Sequence, residues 1–182
     1  NIDPLSFQLR QVGFNNMIFD LPDMANYTGI LDLDDSLNYD VQVTAGLDIP
    51  NLKVFCILQT INPQTGLPPN SSDGLLPVND SLGSGQGFFS YTILPKTSTQ
   101  TGDTATAKAD IQFDLNPIIE TNTWKNTFDA VKPVSFIDTL PPIVLSDSIE
   151  LVLFANDDPG GSGIYAVRLY YQVDSGDFQY YG

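Results

Sequence analysis

The side chains with the most chemical potential in this chain are carboxylates. Asp157 and Asp158 open the loop Asn156-Asp157-Asp158-Pro159-Gly160-Gly161-Ser162-Gly163-Ile164, where proline and glycine let the backbone turn sharply. Asp32, Asp34, Asp35 and Asp40 crowd a second short segment. Hard oxygen donors spaced one to three residues apart suit calcium, which takes about 6–8 oxygens. All of these aspartates are therefore candidate calcium ligands, and Asp129 or Asp138 is a further donor to the loop that Asp157 opens. The bland alternative is a solvated strand end and turn, since Asp also starts turns. The Asp32 segment lacks the glycine and distal glutamate of an EF-hand loop.

Other chemistries are thinly supplied. Histidine is absent, which removes the usual general base, the usual zinc ligand and the Ser-His and Cys-His nucleophile pairs. The single cysteine, Cys56, lies within the apolar run Leu52-Lys53-Val54-Phe55-Cys56-Ile57-Leu58 and reads as a small core residue. It cannot form an internal disulfide. Paired carboxylates can hydrolyse glycosides, but nothing in the sequence frames such a cleft, and the chain reads as no enzyme. Tyr165, Tyr170, Tyr171, Tyr180 and Tyr181 cluster late in the chain and could stack on sugars. Equally, tyrosines alternate in and out along strands with their hydroxyls at the rim.

Charge narrows the partners. Seven Lys and Arg against 22 Asp and Glu give a net charge of −15. So few cations cannot neutralise a phosphate track, and an anionic membrane surface repels the chain. No apolar run approaches bilayer length, so membrane insertion is not expected. Among the acids only Glu120 and Glu150 are glutamate. Aspartate, asparagine, glycine and proline favour turns over helices, so the chain reads as all-β.

Period-2 alternation supports this. Phe7, Leu9 and Val12 point toward a core. Thr28 to Leu33 and Tyr39 to Ala45 read as strands. Leu52 to Ile61 is almost wholly apolar and reads as a central strand buried on both faces. A long polar connection, 62 to 86, follows. Gly87 to Leu94 is a strand, and Asp103 to Phe113 alternates strictly. The small alanines of that last stretch imply a bulky cover, with Trp124 the candidate. Val134 to Ile137, Ile149 to Phe154, Tyr165 to Val173 and Phe178 to Tyr181 are further strands, with a turn at Asp174-Ser175-Gly176-Asp177. The expected organisation is a β-sandwich domain over 1–130 and the N-terminal half of an Ig-like module over 131–182. A boundary falls near Asp129 to Pro133.

Two stretches carry a resemblance. One runs through Gly87-Phe88-Phe89-Ser90-Tyr91-Thr92-Ile93, Ala109-Asp110-Ile111-Gln112-Phe113-Asp114, Asn116-Pro117-Ile118 and Thr121-Asn122. The other is the acidic loop with its flanking strands, where Leu153-Phe154-Ala155-Asn156 replaces the usual Trp-Ser-Gly-like segment. Over about residues 30 to 182 the chain resembles tandem β-sandwich and Ig-like (fibronectin-III-like) modules of very large secreted bacterial surface proteins, adhesin-like and of Bacteroidetes type. The resemblance implies an all-β fold: an antiparallel β-sandwich followed by a partial Ig-like/fibronectin-III-like module. It implies a non-catalytic structural or adhesive segment at the bacterial cell surface. Partners would be neighbouring modules of the same chain, a subunit completing the C-terminal sheet, or surface glycans. The rival function is a carbohydrate-binding module attached to a secreted enzyme. Asp-(Ser/Thr)-(aliphatic or Ala) triplets at Ser36, Ser81, Thr104, Thr139 and Ser148 resemble O-glycosylation acceptors of exported Bacteroidetes proteins, with turn chemistry as the alternative.

Overall fold

The computed structural model describes residues 1–33, 39–69 and 75–182. Every strand ladder among them is antiparallel, and no helix occurs among the described residues. The chain is all-β, as its composition demands. It divides into two compact units, Ile2–Lys96 and Thr97–Gly182 with Asn1. Compactness does not decide the module boundary expected near Asp129 to Pro133.

The first unit holds β1 (Ile2–Phe14), β2 (Met17–Asp20), β3 (Asn26–Leu31), β4 (Asp40–Asp48), β5 (Lys53–Ile61) and β6 (Gly87–Pro95). They form two three-stranded sheets, β2-β1-β6 and β3-β4-β5. The central strands supply the most deeply buried side chains: Leu9, Val12 and Phe14 from β1, Val41 and Val43 from β4. Val54, Cys56 and Leu58 of β5 and Phe89 and Ile93 of β6 pack against this core, giving a sandwich-like arrangement. Each such Leu, Val or Phe contributes about 1.5–3 kcal/mol by leaving water.

The β1 pattern needs a physical explanation, because Phe7 and Leu9 are odd while Val12 and Phe14 are even. Strict alternation would send one pair to solvent. The β1–β6 register slips between Leu9 and Gln11, which inserts Arg10 as an extra residue. The bulge resets the phase, and all four side chains reach the core. A second irregularity lies at Asp3 to Gln8, where Pro4 has no N–H to give the ladder. There the Ser6 hydroxyl accepts from the Leu94 amide at 2.7 Å. Asn15 and Asn16, both at positive φ, form the two-residue turn between β1 and β2.

One expectation is corrected. Leu52 to Ile61 is not a central strand: β5 is an edge strand, and Ile57 is 57% exposed. Its even residues face the core while Phe55 and Ile57 lie on the other face, so the run is apolar without being buried twice.

The second unit holds β7 (Thr104–Ala107), β8 (Asp110–Ile111), β9 (Ile119–Glu120), β10 (Trp124–Thr127), β11 (Val134–Ile137), β12 (Leu153–Asn156), β13 (Tyr170–Tyr171) and β14 (Gln179–Tyr180). They pair only as two-stranded ribbons, β7–β10, β8–β9, β11–β12 and β13–β14. No residue of this unit is buried. The expected strand over Asp103 to Phe113 breaks at Lys108-Ala109, because its two halves pair with different partners. Trp124 sits directly opposite Ala107 in the ladder but is 65% exposed, so it lies beside the alanine and does not cover it. Ile149 to Phe154 yields strand only from Leu153, and Tyr165 to Val173 only at Tyr170 and Tyr171.

This unit contains an internal repeat. The β8–β9 and β13–β14 hairpins share the series Gln-x-Asp, at Gln112 to Asp114 and Gln172 to Asp174. Asp114 and Asp174 have φ of 51° and 52°. The Gln112 side chain donates to Asn116 O, and that of Gln172 to Gly176 O. Thr121 N donates to Ala109 O and Tyr181 N to Leu169 O, each at 2.9 Å. In this alignment β7 corresponds to Ile164–Val167.

Candidate functional site

The acidic loop is built by two strand ends. Asp129 follows β10, and Asp157 and Asp158 follow β12. Asp129 Oδ2 accepts from the Ser162 amide at 2.9 Å and the Ser162 hydroxyl at 2.6 Å. Asp129 Oδ1 accepts from Val131 N at 3.3 Å. Asp157 Oδ2 accepts from Gly163 N at 2.7 Å. These bonds fold the glycine-rich segment back over its own acids. Gly160 and Gly163 adopt φ of 88° and 82°, which a side chain resists. At Gly161 a Cβ would lie 2.7 Å from Asp157 Oδ2 and 2.9 Å from Asp158 Oδ1, so only glycine leaves this space open.

One oxygen from each of Asp129, Asp157 and Asp158 lies within 4.8 Å of the others. The Oδ1 atoms of Asp157 and Asp158 are buried and accept no hydrogen bond among the described residues. Buried carboxylate oxygens without donors are costly unless something positive meets them. The Ser162 hydroxyl, then its amide, holds the Asp129 carboxyl below the usual carboxylate range. It therefore stays ionised at neutral pH. Three hard, charged oxygens with a glycine-lined opening fit a divalent cation of the calcium type, with water or backbone carbonyls completing its shell.

Of the two linker donors considered from sequence, the structure brings Asp129 to this loop. Asp138 instead accepts from its neighbour's amide, Thr139 N, at 2.7 Å. Ser162 was not singled out from sequence; an Asp-Asp turn ending in Ser between glycines was its available signal. In the other acidic segment, Asp40 Oδ1 accepts from Leu33 N at 2.9 Å, and Asp32 is exposed. Asp34, Asp35 and Ser36 lie outside the described residues.

Among the candidate acceptors of glycan, Ser81, Thr139 and Ser148 are exposed, while Thr104 is half-buried in β7 opposite Thr127. Asp80, which precedes Ser81, acts in a turn: it accepts from the amides of Leu82 and Ser84 and from the Ser84 hydroxyl. The Ser84 amide and hydroxyl hold its carboxyl below the ordinary range. The tyrosines gather on the last hairpin. Tyr170 and Tyr180 are ladder partners with rings 5.5 Å apart, Tyr171 and Tyr181 meet edge to face, and Tyr165 is fully exposed.

No curated protein and no solved structure matches the chain. Residues 72–127, which take in β6 to β10 and most of the first resembling stretch, match a family described as a domain of unknown function, DUF7619.

Proposed function

We propose that this chain is a non-catalytic structural or adhesive segment of a large extracellular bacterial surface or filament protein. The exposed apolar ribbons of the second unit support this reading. Val134, Phe136, Leu153, Phe154 and Val167 stay about half exposed or more in the same unit. An apolar ribbon cannot offset the entropy of ordering itself without a cover. In this reading a neighbouring module or a partner subunit supplies that cover, calcium on Asp129, Asp157 and Asp158 stiffens the junction, and Ser81, Thr139 and Ser148 are open to glycosylation.

The test is to append the sequence of residues 123–128 directly after Gly182, where the repeat places the counterpart of β10. Amide exchange at Tyr165 to Val167 should slow at least about tenfold, since a tethered strand acts at millimolar effective concentration. Unchanged exchange would sink the reading. Deletion of the segment in its native host should also impair adhesion, motility or filament formation.

A second reading, a carbohydrate-binding module on a secreted enzyme, is favoured by the paired exposed tyrosines. Binding of the isolated chain to a glycan array, abolished by Tyr170→Ala and Tyr180→Ala, would select it.

A further inference from the structure

β5 is a long edge strand that lacks the usual protection. Its ladder with β4 runs unbroken from Asp48↔Lys53 to Asp40↔Ile61, with no bulge and no proline. Among the described residues its backbone pairs with β4 alone. The other edges differ: β2 has four residues, β3 carries Gly29, and β6 ends at Pro95, which has no N–H to offer a partner. An open edge of this kind is a template for another strand.

The strand's own sequence points to its occupant. In a chain with 22 acids, Lys53–Ile61 contains none. Antiparallel pairing of two copies about Ile57 sets no like charges opposite one another. Ile57 meets Ile57, Cys56 meets Leu58, Phe55 meets Gln59, and Val54 meets Thr60. Core-facing residues stay on the core face, and no charge is buried in the middle of the seam. Lys53 of each copy falls opposite Ile61 of the other, whose neighbour on β4 is Asp40. Lysine and aspartate then lie two strands apart on one face, about 10 Å between backbones, which the long lysine side chain spans.

We propose that β5 is a homodimerisation edge. Two copies join their β3-β4-β5 sheets into one continuous sheet through an antiparallel β5–β5 ladder centred on Ile57. This stands independently of the second unit and its completion.

The test uses the full chain carrying Cys56→Ser. Directly opposed residues sit about 4.5–5.5 Å apart at Cα, within disulfide reach. Ile57→Cys should therefore give a covalent dimer of twice the 19.9 kDa chain mass on mild oxidation. Gln59→Cys alone should not, because its two copies lie about 13 Å apart along the ladder. Mixing Phe55→Cys with Gln59→Cys chains should restore the crosslink. Ile57→Lys should convert the unoxidised dimer to monomer in sedimentation. A monomeric parent chain at roughly 100 µM, where a micromolar dimer is mostly assembled, overturns the proposal. So does crosslinking no stronger at Ile57→Cys than at Gln59→Cys.

Discussion

Calcium should slow amide exchange in the acidic loop by an amount the ligand set predicts. Asp129, Asp157 and Asp158 offer three carboxylates, against the richer ligand set of an EF-hand, so calcium held there is expected to bind weakly, with Kd of about 10⁻⁴–10⁻³ M. If opening of the loop releases the ion, protection rises as 1 + [Ca]/Kd, or about 10- to 100-fold at 10 mM calcium, equivalent to about 1.4–2.7 kcal/mol. The reporters are the amides of Ser162 and Gly163, which donate to Asp129 and Asp157 and exchange only when those bonds break. Asp158→Asn should cut the response sharply while leaving both bonds in place. Gly161→Ala should cut it by pushing a methyl into the space between Asp157 and Asp158.

Acid should abolish the effect, and the sign follows from Asp129. Its carboxyl is held below the ordinary value by Ser162, so its contribution is present above the unfolded-state pKa and is lost as pH falls through the depressed folded value. Equal exchange rates with and without calcium at pH 7 would refute the assignment, as would a full response in Asp158→Asn.

Leu9→Ala removes a side chain with no exposed surface from the centre of β1, and should cost about 2–5 kcal/mol in urea unfolding of the first unit; a loss below about 1 would mean the core relaxes freely there. Burial pushes the Cys56 thiol up to about 11, so it should react slowly with alkylating agents at pH 8. Because that folded value is raised, its contribution to stability is complete below the ordinary thiol range and should fade between about pH 9 and 11; Cys56→Ser should flatten that part of the pH curve. Protein from its native source should exceed the sequence mass by sugar increments, with Ser36, Ser81, Thr104, Thr139 and Ser148 the candidate residues; a bare mass would exclude glycosylation.

The sequence made some of this legible and hid the rest for identifiable reasons. Asp174-Ser175-Gly176-Asp177 reads as a turn because Asp and Gly tolerate left-handed backbone, and Asp174 adopts it. Phe7 and Leu9 read as core from alternation alone. The bulge at Arg10 was invisible, since an extra residue changes pairing without changing composition; only the phase slip from Leu9 to Val12 hinted at it. β5 reads as a central strand because an apolar run looks the same at an edge as at a centre. In the site, Asp157 and Asp158 were conspicuous as neighbours in the chain. That Asp129 and not Asp138 joins them depends on where β10 delivers its end, which local sequence does not specify.

The contrast between the units follows from what each strand can cover. In Ile2–Lys96, β1 and β4 each have a neighbour on both edges and an opposing sheet, so Leu9, Val12, Val41 and Val43 lose their contact with water. In Thr97–Gly182 every sheet is a ribbon of two strands. A two-stranded ribbon has no central strand, and Phe136 and Phe154 screen one another by stacking at 4.9 Å. Such pairing leaves both rings about half exposed. The stability of the second unit should therefore depend on what adds to its edges. Strand addition along Ile164–Val167 would begin to turn ribbons into a sheet, and the acidic loop immediately before that edge is where an ion would fix its start.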